Sequence, residues 1–239
     1  MKNPICISTG FVYKLSKDMN EKIGMLKNFF INGIELCFAY PEDLLSFVIN
    51  QENIRYLRVL KFISIHSPWK EVIYGNNQKT KDILRTLEKL YKEIGAYNVV
   101  FHKEQIDDIN IITNYDFTAS IENGDWRESG NSVEEIKAIL NKNKSLKFTL
   151  DFAHALTISS DDIPIYFNKF KDKLISIHLA MFNKNLKGHW FLHKYDSEEI
   201  RTLLNYFKNT NVPIVLECVA SGQSEIQLIK KEIEYIKTI

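Results

Sequence analysis

Six acidic or imidazole side chains stand where short β-branched and aromatic runs of this sequence stop: His66, His102, Glu122, Asp151, His178 and Glu217. Four of the six histidines, His66, His102, His154 and His178, fall within three residues of the end of such a run, where an even spread would put about one. Neutral imidazole together with carboxylate is the donor set of zinc, manganese or cobalt, and a carboxylate among several histidines can bridge two ions. Any one of these residues alone could equally cap a neighbouring helix or hydrogen-bond within a loop. Gathered at one place they would repel and desolvate one another without a cation. The set therefore predicts a metal cluster, of zinc, manganese or cobalt.

Trp69, Trp126 and Trp190 each lie shortly after one of the ligand-bearing runs, and indole rings there could wall a pocket and stack on a sugar ring or a base. With Lys187 and His193 they are the candidate substrate-binding residues. Lys70, Arg127, Lys184 and Lys194 share these stretches and could hold a phosphate, although Glu71, Asp125, Glu128 and Asp196 dilute the field. The cysteines, Cys6, Cys37 and Cys218, have no CxxC-type spacing and read as core residues. Gly75 and Gly188 lie in no phosphate-loop motif.

Residues so far apart in sequence converge only if the elements between them bring them together. Eight runs read as strands: Pro4–Ser8, Gly33–Phe38, Phe62–His66, Asn98–His102, Thr118–Glu122, Lys147–Asp151, Leu174–His178 and Pro213–Glu217. Several are nearly continuous apolar segments, as expected of strands covered on both faces. Between them Ile83, Leu84, Leu87, Leu90, Tyr91 and Ile94 keep a helical period that stops at Gly95. Ser132 with Glu135, and Asp196 with Glu199, have capping-box spacing. Eight strand-then-helix units in 239 residues is the arithmetic of a single (β/α)8 TIM barrel, typically ~250 residues, whose active site lies at the C-terminal face of the strands. The fourth unit is the tight one, since the stretch between His102 and the next strand leaves room for a two-turn helix at best.

Composition bounds the rest. The chain has 239 residues, 45% apolar and 26% charged, enough for one sizeable core and too short for two ordinary domains, so residues 1–239 are expected to form one domain. No apolar run approaches the ~18–20 residues of a membrane span. The N-terminal stretch has no hydrophobic signal core, and three widely spaced cysteines suit a reducing compartment, so a cytoplasmic location is expected. Net charge is +1, which provides no global field toward nucleic acid or anionic lipid. The cations are overwhelmingly lysine rather than the arginine that reads phosphates and guanines bidentately.

The chain resembles the xylose isomerase-like TIM-barrel superfamily, which holds sugar and sugar-phosphate isomerases and epimerases together with endonuclease IV, the AP endonuclease family 2. The marks are Gly33-Ile-Glu-Leu36, Ile65-His-Ser-Pro68, Val99-Val-Phe-His102, Ile121-Glu-Asn123, Leu150-Asp-Phe-Ala-His-Ala155, Ile177-His-Leu179, Gly188-His189 and Leu216-Glu217, specific in their order rather than singly. Likeness to the isomerase and epimerase branch implies one divalent ion held by Glu122, Asp151, His178 and Glu217, with Glu122 and Glu217 as the catalytic residues that move a proton beside a carbonyl. Likeness to endonuclease IV implies three zinc ions, with His66, His102, His154 and His189 as additional ligands, so across the two branches the resemblance implies one to three divalent ions of zinc, manganese, magnesium or cobalt. The aspartate expected before His189 in that branch falls on Lys187, which cannot ligate while protonated.

The branches make different demands. The extra histidines favour a phosphodiesterase. Cys37-Phe-Ala-Tyr-Pro41 and His178-Leu-Ala-Met-Phe182, however, lack the loops of the nuclease, and no Glu-x-x-Arg follows His178 as it does in epimerases. The first expectation is a metal-dependent enzyme that isomerises or epimerises a small sugar or sugar phosphate. Next comes an endonuclease IV-like zinc phosphodiesterase acting on nucleic acid, and third a barrel that binds metal without catalysis. Barrels of this class often pair, so a homodimer is a further expectation.

Overall fold

The computed structural model describes residues 2–127, 132–182, 188–208 and 210–239. Eight parallel strands close into a barrel: β1 (Ile5–Ser8), β2 (Gly33–Cys37), β3 (Phe62–His66), β4 (Asn98–His102), β5 (Ala119–Glu122), β6 (Lys147–Asp151), β7 (Leu174–Leu179) and β10 (Ile214–Leu216). Two further strands, β8 (Met181–Phe182) and β9 (His189–Trp190), form an antiparallel pair just beyond β7. The helices between them are α1 (Met19–Leu26), α2 (Pro41–Leu45), α3 (Gln51–Val59), α4 (Gln78–Ile94), α5 (Ile109–Thr113), α6 (Val133–Lys142), α7 (Phe152–Ile158), α8 (Asp162–Phe170), α9 (Glu198–Asn205) and α10 (Leu228–Thr238). Among the described residues no helix is long and apolar enough to cross a membrane.

The strand order runs β1, β2, β3, β4, β5, β6, β7, β10 and back to β1, each pair parallel. Successive strand residues point to opposite faces, and this sequence uses the two faces differently. Ile7, Ile34, Leu36, Ile63, Ile65, Val99, Phe101, Ile121, Phe148, Leu150, Ile177 and Leu216 join one buried apolar cluster with the helices. Each such side chain contributes ~1.5–3 kcal/mol by leaving water. α4 shows the matching half: Asn77 caps its first turn through Thr80 N, Ile83, Leu84, Leu87, Leu90 and Ile94 are buried, and Gly95 ends it at φ 70°, a left-handed conformation that costs glycine little.

The inward face is polar. Asn98 donates to Ser120 Oγ at 2.9 Å, and Ser120, Thr149 and Ser176 are linked in a row by hydroxyl contacts of 2.8 Å. Ser64 donates to Glu35 at 2.9 Å, and all six side chains are buried. Above this hydroxyl layer, at the C-terminal ends of the strands, lie the histidines and carboxylates. The runs that read as continuously apolar are therefore two-sided, with Ser64, Asn98, Ser120, Thr149 and Ser176 on the face toward the barrel axis. In the fourth crossover, α5 has five residues, so the short connection holds little more than one turn.

Candidate metal centre

Glu122, at the end of β5, is the hub. Its side chain is 1% exposed, and each carboxylate oxygen meets imidazole nitrogen: Oε1 lies 2.9 Å from His102 Nε2, and Oε2 lies 3.1 Å from His178 Nδ1 and 3.6 Å from His66 Nε2. Glu217, just past β10, stands 3.4 Å from His178 Nδ1 and 3.6 Å from His189 Nδ1. Asp151 ends β6 and caps α7, its Oδ1 accepting from His154 N at 2.6 Å. Helix capping, the ordinary role of a strand-end aspartate, thus occupies one of its oxygens. Oδ2 lies 3.8 Å from the His154 ring.

Four groups of side chains have potential ligand atoms mutually within 4.8 Å: His66, His102 and Glu122; Glu122, Asp151 and His178; His66, His178 and Glu217; and Asp151, His154 and His189. All eight metal-ligand residues expected from the sequence are thereby brought together, and Glu122, His66, His178 and Asp151 each belong to two groups.

The histidines are tied from behind. His66 Nδ1 donates to Ser67 O at 3.0 Å, His102 Nδ1 to Glu104 at 2.7 Å and His154 Nδ1 to Asn123 O at 2.9 Å. Such bonds fix tautomer and ring orientation and leave the other nitrogen to face the centre. His178 is tied the other way round, through Nε2 to Glu35 at 3.2 Å. The ion pairs of Glu35, Glu122 and Glu217 are all to histidine.

Protons hold this cluster together when no ion does. Burial works against the Glu122 charge, but His102, His178 and His66 outweigh it and hold the carboxyl well below the usual range. Burial likewise disfavours charge on His102 and His178, yet the surrounding carboxylates keep both well above the ordinary histidine value. Burial pushes Glu217 well up, with Asp151, Glu35 and Glu122 adding to it against the pull of His178.

The residues present fit a divalent ion on one specific observation. Glu122 Oε2 and His178 Nδ1 are both buried and 3.1 Å apart, and neither has a hydrogen-bond partner. An unpaired buried acceptor and an unpaired buried ring nitrogen side by side cost stability, and a shared cation between carboxylate and neutral imidazole relieves both.

The expected substrate-binding residues fare unevenly. Trp69 is half-buried, stacks on His102 at 5.6 Å and 14°, and meets His66 edge-on at 4.8 Å. Trp190 sits on β9 beside His189, opposite Met181, with its Nε1 buried and unpaired. Trp126 is 63% exposed. His193 is committed elsewhere: its Nδ1 donates to Glu232 of α10 at 2.6 Å, and Glu232 also accepts from the Leu192 and His193 backbone. Lys187 lies outside the described residues, as do Lys184 and Glu128.

Two side chains of the centre lie outside the expected set. Glu104 follows β4 and backs His102, and nothing in its spacing marks it. Glu35 was legible only as part of the β2 motif, yet a carboxylate in the middle of an apolar run on a doubly covered strand has to be paired, which is the signal that finds it.

No family model and no curated protein matches the sequence. Solved structures do. The probable 3-DHS dehydratase AsbF, involved in petrobactin synthesis, from Bacillus anthracis superposes with TM-score 0.71 at 15% identity over 99% of both chains. Endonuclease IV from Thermus thermophilus gives 0.68 at 12% identity over 99% of this chain and 100% of that one. The 3-keto-D-glucoside 4-epimerase of E. coli gives 0.67 at 13% identity over the whole of both. The chain shares with all three the (β/α)8 TIM-barrel fold. Within that fold its neighbours include a nuclease, an epimerase and a dehydratase, so fold alone does not select a reaction.

Proposed function

We propose that the protein is a divalent-metal-dependent enzyme that hydrolyses a phosphate ester carried on a sugar, at a centre of two ions shared by Glu122. One observation carries this reading: both oxygens of Glu122 face imidazole nitrogens, His102 on one side and His178 and His66 on the other, in a side chain 1% exposed. A glutamate that moves a proton to and from substrate carbon needs one oxygen free to meet it, whereas a bridging ligand uses both. When bound, ions of the zinc or manganese kind polarise the phosphoryl group and supply a nucleophile at neutral pH.

The chain's own residues do the rest. His66, His102 and Glu122 would hold one ion, and Asp151, His178 and Glu217 with Glu122 the other. His154 and His189 stand beside Asp151 and face the remaining space. Trp69 packs edge-on against His66 and flat on His102, which would restrain both rings. Near-neutral net charge favours a small sugar phosphate over a nucleic acid, and three free cysteines suit a cytoplasmic enzyme.

A second reading, isomerisation or epimerisation of a sugar by proton transfer, is favoured by the compact group Glu122, Asp151 and His178 with Glu217 adjacent. That group is a full ligand set for one ion. Under this reading Glu122 and Glu217 are both ligands and acid/base residues, and Glu217→Gln abolishes turnover while leaving most of the metal bound. Metal content measured by mass spectrometry on protein purified without chelator, followed by assays on sugar phosphates and on a duplex with an abasic site, separates the readings. Two ions per chain with chelator-sensitive phosphate release is the expected result. A single ion with sugar isomerisation and no phosphate release would establish the second reading. Strand cleavage of the abasic duplex would move the substrate to DNA, and metal without turnover on any substrate would leave a binding protein.

A further inference from the structure

We propose that Glu35 is the positioning residue of this centre: from the opposite wall of the barrel it fixes the tautomer and ring orientation of His178, so that Nδ1 is the nitrogen offered to metal. The inference rests on the metal reading above and concerns a residue outside the ligand set.

Glu35 is on β2 and His178 on β7, strands separated in the barrel by β1 and β10, so their contact crosses the interior rather than following a ladder. Both side chains are fully buried. His178 Nε2 donates to Glu35 Oε2 at 3.2 Å, and Ser64 Oγ donates to the same oxygen at 2.9 Å. The other carboxylate oxygen has no partner. A buried carboxylate supported by so little is expensive, and its main support is an N–H on His178 Nε2. With the proton held there, the Nδ1 lone pair is free, and Nδ1 is the atom 3.1 Å from Glu122 and 3.4 Å from Glu217. Glu35 is thus the group that selects this tautomer. His66, His102 and His154 are tied through Nδ1, so His178 is the inverted member of the set.

A carboxylate behind a ligating histidine also raises the donor strength of the ring, and removing such a partner typically costs ~10–100-fold in metal affinity. Zinc affinity measured by competition with a chromophoric chelator is therefore expected to fall ~10–100-fold in Glu35→Ala and less in Glu35→Gln, whose amide oxygen can still accept from Nε2. Glu35→Gln preserves volume and serves as the test where the alanine variant does not fold. Long-range 1H–15N spectra of the zinc-loaded, 15N-histidine-labelled protein provide a readout that a merely structural role would not move. His178 should carry its proton on Nε2, with His66, His102 and His154 protonated on Nδ1. Unchanged zinc affinity in both variants, or a His178 proton on Nδ1, overturns the assignment of Glu35 alone, provided that His178→Ala loses an ion. A wild-type chain that binds no zinc overturns this assignment together with the metal reading.

Discussion

Glu122 carries the strongest single-residue prediction, because the substitution Glu122→Gln changes charge and hardly changes shape. The amide places an N–H2 against one set of imidazoles, and the remaining oxygen is a poor bridge between two cations. Metal content is expected to fall by at least one ion per chain, and phosphate release by more than the ~10–100-fold that loss of a partner behind a ligand costs. Retention of both ions and of turnover would remove the bridging role. At this scale the sequence was informative about convergence, because side chains that meet at the mouth of a barrel come from strand ends, and strand ends are marked by where an apolar run stops: His66, His102, Glu122, Asp151 and His178 occupy the final or next-to-final position of their strands. It was uninformative about His193. A histidine in a loop rich in aromatic and basic residues looks like a substrate contact, and its actual partner, Glu232, lies 39 positions away on α10.

Among the elements, β2 carries Glu35 into the centre, and Gly33 sets how closely that strand approaches its neighbours. A Cβ at Gly33 would stand 1.9 Å from the Phe62 carbonyl oxygen and 2.8 Å from Cys6 Sγ, so β2 approaches β3 and β1 at a distance only glycine allows. Gly33→Ala is expected to destabilise the fold by about 1–3 kcal/mol, the usual cost of overpacking, and to displace Glu35 two residues along the same strand. Urea unfolding followed by circular dichroism measures the first effect, and weakened zinc binding in the folded fraction the second; wild-type values for both would mean that β2 is not so constrained. The eight strands were legible to within a residue or two at each end, since β-branched runs and helical period alternate plainly. Other details depended on side-chain geometry that spacing does not encode. The Asp196 and Glu199 pair has capping-box spacing, but Ser197 caps α9 through Ile200 N, while Asp196 accepts from Arg201 and from the Tyr235 hydroxyl. The Ser132 and Glu135 box did form. The β8–β9 pair, which holds His189 near Glu217, read only as loop, because strands of two residues have no period to detect.

For the molecule as a whole, the proposed metal centre would make stability and metal occupancy two aspects of one equilibrium, because its groups are buried in the inward polar face. Without ions, Glu122 and Glu35 keep their charge only because protonated histidines surround them, while His102, His154 and His178 titrate higher than usual because those carboxylates are near, against the opposing effect of burial. A group whose folded value is raised stabilises the fold fully below its unfolded value, ~6.5 for histidine, and loses that contribution as pH rises through the folded value. Glu217, also raised, adds a loss of the same sign beginning from its ordinary carboxylate range. The depressed carboxylates act in the opposite sense, and their contribution disappears only in acid, below ~4.3. The chelated protein is thus expected to be most stable between these limits and to lose melting temperature from about pH 6.5 upward. Ions reverse the trend, because they bind neutral imidazole and release its proton, so affinity rises with pH. At 100 times Kd a bound ion contributes ~2.7 kcal/mol. The gap in melting temperature between zinc-loaded and chelated protein should therefore widen steadily from pH 6 to pH 8. A gap that is constant over that range would mean that the ions do not replace the protons that His102, His154 and His178 carry in their absence.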